Sequence, residues 1–366
     1  MPQVGSNADM TSRVLVIAEQ LHAPTPGGIG VYTAEVASRL AAIAPSLGAS
    51  VELYASRVPG EDRLDAFGLP VGHSRLPHRA LMRAWEWGLA RKPGGYDACL
   101  SLSMAGPRFP TAPTCTFTVY DLAFREVPET FTRRGLKWHE QRLELIRAAG
   151  GRVITISEDS KAALMRAGIA ESRVVLAPPG ADHLPTADLE AADRLLEGLG
   201  IRSPFLLSVG TLEPRKNMAR LVQAAARCRS ELGGEYPLVV VGPRGWREGP
   251  QQTSGVFAVG HVEPRVLAGL YRRAAALVYV PLHEGFGLPP IEAMASCTPV
   301  VASRVPSTSP EVAEIVDPRS VDDIARGIAR VLSDDRLKSS LVREGLAKAS
   351  ALRWEDTARK VLEAVL

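Results

Sequence analysis

Short apolar runs alternate with helical patterns along the chain, and this alternation restricts the fold more than any other feature of the sequence. Arg13–Ala18 is the first apolar run, a glycine-rich turn from Pro26 to Gly30 follows it, and Val31–Ile43 then has the spacing of a helix. Two parallel strands need a crossover connection of this kind, usually a helix. A chain that repeats this unit builds a parallel α/β sheet, which is the fold class that the sequence predicts.

The series of strands and helices occurs twice, separated by the polar stretch Ala187–Gly200. With 366 residues the chain also exceeds the roughly 250–300 at which a single core stops growing. We therefore predict two Rossmann-like domains, over residues 1–185 and 186–350, and an amphipathic helix over residues 351–366. The further predicted strands are Ser50–Tyr54, Ala98–Leu102, Cys115–Val119, Arg152–Ile156, Phe205–Gly210, Leu238–Gly242, Val256–Gly260, Ala276–Val280 and Pro299–Ala302.

Composition argues against several classes of partner. The 43 Lys and Arg against 40 Asp and Glu give a net charge of +3, without the basic surplus of a nucleic-acid-binding protein. Met1–Ser12 is polar, unlike a signal peptide, and the longest apolar run, Ala274–Leu282, is far shorter than the roughly 20 residues that span a bilayer. We expect a cytoplasmic protein whose membrane contact, if any, is peripheral.

The cysteines have neither CxxC nor metal-binding spacing, so no metal is expected. They are Cys99, Cys115, Cys228 and Cys297.

The strongest motif is Glu284-Gly-Phe-Gly-Leu-Pro-Pro-Ile-Glu292, which follows a predicted strand. Its glycines disfavour helix and its prolines belong in a first helical turn, so Glu284 is predicted on a loop and Glu292 in the first turn of the next helix. Backbone amides beside glycine can approach a phosphate, which a helix N-terminus also attracts. One carboxylate can accept hydrogen bonds from a sugar and the other from ribose. A capped acidic helix explains the prolines but not both acids and both glycines.

Two further loops have the composition of phosphate sites. In Gly210-Thr-Leu-Glu-Pro-Arg-Lys-Asn217, the cations Arg215 and Lys216 can meet a diphosphate. One charge pair at ~4 Å contributes about 4 kcal/mol at an effective dielectric of about 20, so this loop can stabilise a leaving diphosphate without a metal. A solvated basic turn is the alternative. Gly27-Gly-Ile-Gly30 lacks the full GxGxxG spacing, and a plain tight turn explains it as well as a phosphate contact does.

Taken together, these motifs resemble retaining glycosyltransferases of family 4, the large group that builds bacterial glycans. The resemblance covers most of the chain and implies a GT-B fold, in which two Rossmann-like domains face a cleft. It places the nucleotide-sugar donor on the C-terminal domain and the acceptor on the N-terminal one, with the Trp354 helix crossing back to the first domain. The matching elements are the Gly27–Gly30 turn, Ile156–Ser160, Glu213–Asn217, Gly260–Val262, the Glu284–Glu292 element and the helix start Glu292–Ala295.

The resemblance also assigns roles to individual residues. It implies that Glu284 holds a donor-sugar hydroxyl, that Glu292 holds the ribose, and that Lys216 with Arg215 binds the diphosphate. The remaining donor contacts are the amides of Gly285, Phe286, Gly287 and Leu288, the backbone of Val262 at the base, and Gly28 at the phosphates.

Three positions depart from the family's pattern. Tyr120 precedes Asp121 where many members have His, Thr211 stands where many have Arg, and Cys297 replaces a Gly. We predict that Tyr120 and Asp121 lie at the carboxyl end of a strand and that the Tyr120 phenol replaces the imidazole as hydrogen-bond donor to the sugar. The alternative is a packed aromatic ring. Thr211 weakens the diphosphate site, and Cys297 is interpreted as a packing change.

Two segments of the first domain combine basic residues with tryptophan. His78–Lys92 contains Trp85 and Trp87, and Thr132–Arg152 contains Trp138. Such segments can rest on anionic lipid or meet a lipid-linked acceptor. Ordinary amphipathic helices with core tryptophan and solvated arginine are the alternative.

These observations favour a retaining hexosyltransferase that uses a GDP- or UDP-linked sugar, with mannose favoured by the resemblance, and needs no other cofactor. The expected acceptor is a glycan or lipid-linked glycan of bacterial cell-surface polysaccharide biosynthesis. A sugar-nucleotide epimerase on the same architecture and a non-catalytic nucleotide-binding relative are the alternatives. Retention of both Glu284 and Glu292 argues against the latter.

Overall fold

The computed structural model describes residues 11–23, 27–58, 62–89, 93–107, 115–243 and 255–366. Within these ranges the chain forms two compact units. Unit 1 comprises the described residues up to Asp121, together with Arg134–Pro178 and Trp354–Leu366. Unit 2 comprises Leu122–Arg133 and Pro179–Arg353. Each unit contains its own parallel sheet, so the predicted fold class is confirmed.

Unit 1 is built on a seven-stranded sheet whose order along the sheet is β3-β2-β1-β4-β5-β6-β7. The first strand lies inside it, and its core residues Val14, Leu15 and Val16 have no exposed surface. The strands are β1 (Ser12–Ile17), β2 (Ala49–Ser56), β3 (Val71–Ser74), β4 (Ala98–Ser101), β5 (Cys115–Thr118), β6 (Val153–Thr155) and β7 (Val174–Leu176). The helices are α1 (Gly27–Ile43), α2 (His78–Trp87), α3 (Ala123–Glu126, in unit 2), α4 (Arg133–Ala149) and α5 (Glu158–Arg166).

Unit 2 has a six-stranded sheet in the order β10-β9-β8-β11-β12-β13. Its central strands β8 and β11 are neighbours, so the loops that leave their carboxyl ends meet at one edge, where open α/β sheets bind ligands. The strands are β8 (Leu206–Val209), β9 (Leu238–Val241), β10 (Val256–Gly260), β11 (Ala276–Tyr279), β12 (Val300–Ala302) and β13 (Glu314–Ile315). The helices are α6 (Leu189–Gly198), α7 (Met218–Leu232), α8 (Pro264–Arg273), α9 (Leu288–Ala295), α10 (Val321–Ser333) and α11 (Asp335–Ser350).

The last helix, α12 (Trp354–Glu363), packs against α1 in unit 1. The buried Trp354 ring meets the Tyr32 ring edge to face at 5.5 Å, and the Thr357 hydroxyl donates a hydrogen bond to the carbonyl of Pro178 at 2.5 Å. The chain thus returns to its first sheet after completing the second. The predicted crossing helix is confirmed.

Two local predictions need correction. Helix α1 begins at Gly27 and not at Val31, so Gly28 and Ile29 belong to its first turn, while Pro26 lies outside the described residues. Cys297 is not a packing change, because its side chain is exposed and its φ is +59°. That left-handed backbone conformation is the one glycine adopts most readily, which explains a Gly at this position.

Candidate active site

Two loops of unit 2 are joined at the carboxyl edge of its sheet, one after β8 and one after β11. The N–H of Leu282 donates to the carbonyl of Arg215 at 2.9 Å. The side-chain amide of Asn217 donates to the carbonyl of Val280 at 3.0 Å. Asn217 is buried and has φ +59°, a conformation that asparagine tolerates better than most residues. These bonds fix the loop that carries the cations against the loop that carries Glu284.

The joined loops bring Glu284, Lys216 and Arg215 into one cluster. The Lys216 Nζ and Arg215 Nη1 atoms lie 2.5 and 2.8 Å from Oε1 of Glu284, and Glu213 pairs with Arg215 Nη2 at 2.7 Å. All four side chains are less than one-fifth exposed. The structure thus brings together three of the residues that the sequence singled out, as mutual partners.

The cations decide the ionisation of Glu284. Burial alone would raise the pKa of its carboxyl, but the charges of Arg215 and Lys216 and the hydrogen bond from Lys216 outweigh burial and lower the pKa to about 2. Glu284 is therefore a carboxylate at neutral pH and can only accept hydrogen bonds.

Tyr279, which ends β11, completes this cluster. Its hydroxyl accepts a hydrogen bond from Lys216 Nζ at 3.0 Å. Burial, followed by the negative charge of Glu284, raises the pKa of Tyr279 well above its usual value, so the phenol stays neutral. This tyrosine was not predicted as a site residue, because an aromatic side chain in an apolar strand is typical of a core.

The motif's second acid lies on α9, one turn later than predicted. Helix α9 begins at Leu288, so Pro289 and Pro290 occupy its first turn as expected, but Glu292 is the fifth helical residue and belongs to the second turn. Before the helix, Gly287 has φ +98°, and a Cβ there would lie 2.6 Å from the Ser307 hydroxyl. The turn between the two acids therefore requires glycine.

Glu292 is buried and both of its oxygens have protein partners. His183 Nε2 lies 2.9 Å from Oε1, and the Tyr271 hydroxyl donates to Oε2 at 2.6 Å. Burial opposes ionisation, but the hydrogen bond and charge of His183 and the bond from Tyr271 lower the pKa of Glu292. Neither partner was predicted from the sequence, because each lies outside the motif.

The other donor residues lie at the expected ends of strands. Thr211 follows β8, Val262 follows β10, and both are half-buried, while the Gly285–Leu288 turn separates the two acids. Gly28 is exposed in the first turn of α1, in unit 1. Their ligand contacts remain predictions. Among the residues that the structure describes, no group of three or more His, Cys, Asp and Glu side chains could hold a metal ion.

Tyr120 and Asp121 lie in unit 1, just after β5, as predicted. The Tyr120 hydroxyl donates to the carbonyl of Leu102 at 2.8 Å, and its ring meets Tyr32 edge to face at 5.3 Å. Burial raises the pKa of Tyr120 well above its usual value. The phenol's only proton is thus given to the backbone, which favours the packed-aromatic interpretation over a sugar contact.

The basic, tryptophan-bearing segments divide into core and surface. Trp85 is buried, and so is Arg142, whose guanidinium donates to the carbonyls of Met104 and Gly106 at 2.8 and 3.0 Å. Trp87 is 67% exposed. The predicted contact with anionic lipid or a lipid-linked acceptor is thus wrong for Trp85 and Arg142. Of the predicted basic residues, Arg91 and Lys92 lie outside the described part of the chain. No helix in that part has the length and apolar character needed to cross a membrane.

Comparison with known proteins identifies the family of the chain. Residues 197–348 match the family model of glycosyl transferases group 1. The chain is 30% identical to the D-inositol 3-phosphate glycosyltransferase of Acidothermus cellulolyticus, over 92% of its own length and 84% of that protein. It is 29% identical to the O-antigen chain mannosyltransferase B of Escherichia coli, over 68% of each chain. It also matches the serotype-specific mannosyltransferase WbdA of Escherichia coli at 29% identity, over 48% of its own length but only 23% of that protein.

Solved structures share the fold over nearly the whole chain. The sucrose-phosphate synthase of Thermosynechococcus elongatus superposes with a TM-score of 0.73 at 21% identity, over 96% of this chain and 98% of that one. The Anabaena protein HepE, in complex with UDP-glucose, superposes with a TM-score of 0.70 at 17% identity and the same coverage. The chain belongs to the glycosyl transferases group 1, and it is a glycosyltransferase with the GT-B fold.

Proposed function

We propose that the protein transfers a hexosyl unit, with mannosyl favoured, from a GDP- or UDP-linked sugar to a glycan or lipid-linked acceptor of bacterial cell-surface polysaccharide biosynthesis. The anomeric configuration of the donor is retained. The observation that carries the proposal is the cluster of Glu284, Lys216 and Arg215 at the carboxyl edge of the unit 2 sheet.

The cations of this cluster stabilise the leaving diphosphate. An ammonium has three donors, and within the described part of the chain two of those on Lys216 go to Glu284 and Tyr279, which leaves the third for a phosphate oxygen. Because the loops and ion pairs hold Lys216 and Arg215 in place before the donor arrives, little reorganisation accompanies the development of charge. Turnover without a divalent metal is part of the proposal, since these two cations supply the positive charge.

Glu284 is proposed to hold a donor-sugar hydroxyl and not to attack the sugar. A carboxylate whose pKa is about 2 and which two cations hold is a weak base and a poor nucleophile. This property argues against a covalent glycosyl-enzyme intermediate, which a carboxylate nucleophile would form. An acceptor oxygen that arrives on the face from which the diphosphate leaves accounts for retention without such an intermediate.

The relatives support the choice of sugar and acceptor. The O-antigen chain mannosyltransferase B covers two-thirds of the chain, and its name supports mannosyl transfer to a growing glycan. The UDP-glucose complex of HepE supports a nucleoside-diphosphate sugar as donor and keeps uridine among the bases to be tested. Nothing in the charge of the chain calls for a nucleic-acid partner.

Peripheral contact with the cytoplasmic face of the plasma membrane is the last part of the proposal. Arg79, Arg83 and Trp87 stand four residues apart on α2, so they share one face of the helix, and all three are exposed. Leu89, just beyond the helix, is 70% exposed. A basic stripe that ends in an aromatic and an aliphatic side chain fits an anionic lipid surface.

A panel of donors tests the transfer itself. GDP-mannose, UDP-glucose and UDP-N-acetylglucosamine are each incubated with the protein, EDTA and a lipid-linked glycan extract, and release of nucleotide and labelling of glycan are followed. We expect one donor to label glycan, with an α-linked product from an α-linked donor by NMR. Labelling only with added Mg²⁺ or Mn²⁺ would overturn the metal-free mechanism, and an inverted product would overturn retention. Release of an epimerised nucleotide sugar without acceptor would favour the epimerase.

A further inference from the structure

The two partners of Glu292 do more than neutralise a buried charge. Because the carboxylate is ionised and can only accept hydrogen bonds, the proton in the bond to His183 must lie on Nε2. Burial, together with the charge of Glu292, raises the pKa of Tyr271 well above its usual value, so this phenol keeps its proton and donates it. Each oxygen of Glu292 therefore receives one donor from the protein.

These donors are themselves held firmly. Tyr271 has no exposed surface, and its carbonyl accepts a hydrogen bond from the Thr298 hydroxyl at 2.6 Å. The His183 side chain is 8% exposed. Two fixed donors, one on each oxygen, prevent the carboxylate plane from rotating about its last side-chain bond. A side chain with one donor, or none, would keep that freedom.

A carboxylate offers about four lone-pair positions, and the protein occupies two of those on Glu292. Among the residues that the structure describes, one position remains on each oxygen. Adjacent hydroxyls of a ribose are spaced to donate to the two oxygens of one carboxylate, provided that its plane is fixed beforehand.

We infer that His183 and Tyr271 are positioning residues that orient Glu292 to accept hydrogen bonds from both ribose hydroxyls, and that they thereby determine the selectivity of the site for ribonucleotide over deoxyribonucleotide donors. The inference rests on the proposed function, which assigns the ribose to Glu292. It differs from a purely structural role, in which His183 and Tyr271 would stabilise α9 and affect every nucleotide equally.

The test measures selectivity by calorimetry. The ligands are GDP and UDP, each compared with its 2′,3′-dideoxy form, which lacks both hydroxyls. For the wild-type protein we expect the ribonucleotide to bind at least roughly tenfold more tightly, the size of one ordinary hydrogen bond. Tyr271→Phe removes one hydroxyl and His183→Met removes the other donor. Each is expected to reduce the selectivity several-fold while changing the affinity for the dideoxy form little.

Two further variants keep the outcomes distinct. His183→Gln places an amide donor where Nε2 lies and should restore selectivity relative to His183→Met. Tyr236→Phe, on a half-buried tyrosine packed against the core of unit 2, should leave selectivity unchanged. Circular dichroism and thermal melting establish that each variant folds, and the Gln and Met pair at position 183 decides the question if Tyr271→Phe does not fold.

Glu292→Gln separates failure of the inference from failure of the proposed function. If this variant keeps the wild-type selectivity, Glu292 does not hold the ribose and the proposed donor site is wrong. If Glu292→Gln abolishes selectivity while Tyr271→Phe and His183→Met preserve it, the donor site stands and the positioning role is wrong. Equal losses for the ribo and dideoxy ligands in Tyr271→Phe and His183→Met would likewise leave only a structural role.

Discussion

The carboxyl edges of the two sheets are built in different ways. In unit 2, Glu284 lies between two cations that adjoin each other in the chain. In unit 1 the corresponding edge carries acids paired with histidines. Buried Glu19 accepts from the N–H and hydroxyl of Ser56 at 2.6 and 2.7 Å and lies 2.5 Å from His78 Nδ1. His22 Nε2 lies 2.9 Å from Asp62.

The two edges differ in the partners of their acids, which are permanent cations in unit 2 and histidines in unit 1. Permanently charged Lys and Arg in unit 2 suit a diphosphate, whose charge grows as the sugar leaves. The acids at the edge of unit 1 are paired with Ser56 and with histidines, none of which carries a permanent positive charge. We expect substitutions in unit 2 to change catalysis strongly and those near Tyr120 in unit 1 to change it little.

Removal of the Lys216 charge gives the largest expected effect. We expect Lys216→Met to lower kcat about 10²–10³-fold, the usual loss when one preorganised donor to developing charge is removed. Initial rates at saturating donor measure it. Lys161→Met, in unit 1, removes a lysine that pairs with Glu171 at 2.8 Å and is the matched control. Equal kcat values for the two variants would remove Lys216 from the reaction.

Truncation of Glu292 gives the second-largest expected effect. Glu292→Ala should raise the Kd of the nucleoside diphosphate about 10- to 100-fold, because a hydrogen bond to a charged acceptor contributes about 1.5–3 kcal/mol. Calorimetry gives the value, with Glu197→Ala, an exposed acid on α6, as the control. A Kd equal to that of the control would contradict the ribose assignment.

A comparison of two glycines tests whether the turn before α9 in unit 2 tolerates a side chain less well than a turn in unit 1. Gly287→Ala should destabilise more than Gly68→Ala, although both have positive φ. A Cβ at Gly68 meets open space, so the substitution costs only the strain of a left-handed backbone, about 1–2 kcal/mol. At Gly287 the new carbon would also lie 2.6 Å from the Ser307 hydroxyl and 3.0 Å from Val305. Melting temperatures decide it, and equal losses would show that the turn relaxes around the methyl group.

The sequence predicted what is local in the chain. The α/β class and most strands followed from apolar runs, whereas β3, β7 and β13 were missed. The Val-Gly-His-Ser sequence of β3 has no such run, and β7 and β13 have only three and two residues. The cluster around Glu284 was predicted because its residues lie in two short motifs. His183 and Tyr271 were not, because only tertiary packing brings them to Glu292. A polar-tipped aromatic in a helix beside the site was the sole signal for Tyr271, and it equally fits a core residue.

Tyr120→Phe gives the smallest expected effect and tests unit 1 directly. Were the phenol to donate to the sugar, its loss would lower kcat/KM roughly tenfold, one ordinary hydrogen bond. In the structure the proton goes instead to the carbonyl of Leu102 at 2.8 Å. We therefore expect kcat/KM to stay within about twofold of wild type, while the free energy of unfolding falls by about 0.5–1.5 kcal/mol.

The two measurements must be read together, because each interpretation predicts a different pair of results. Unchanged kcat/KM with a lower melting temperature assigns Tyr120 to the packing of unit 1, alongside Tyr32, whose ring it meets at 5.3 Å. A tenfold loss of kcat/KM with unchanged melting would mean that the Leu102 bond is exchanged for a sugar hydroxyl during turnover. Catalysis would then depend on a neutral hydrogen-bond donor in unit 1 as well as on the charges of unit 2. The two edges would differ in the kind of group that they supply, and both would contribute to turnover.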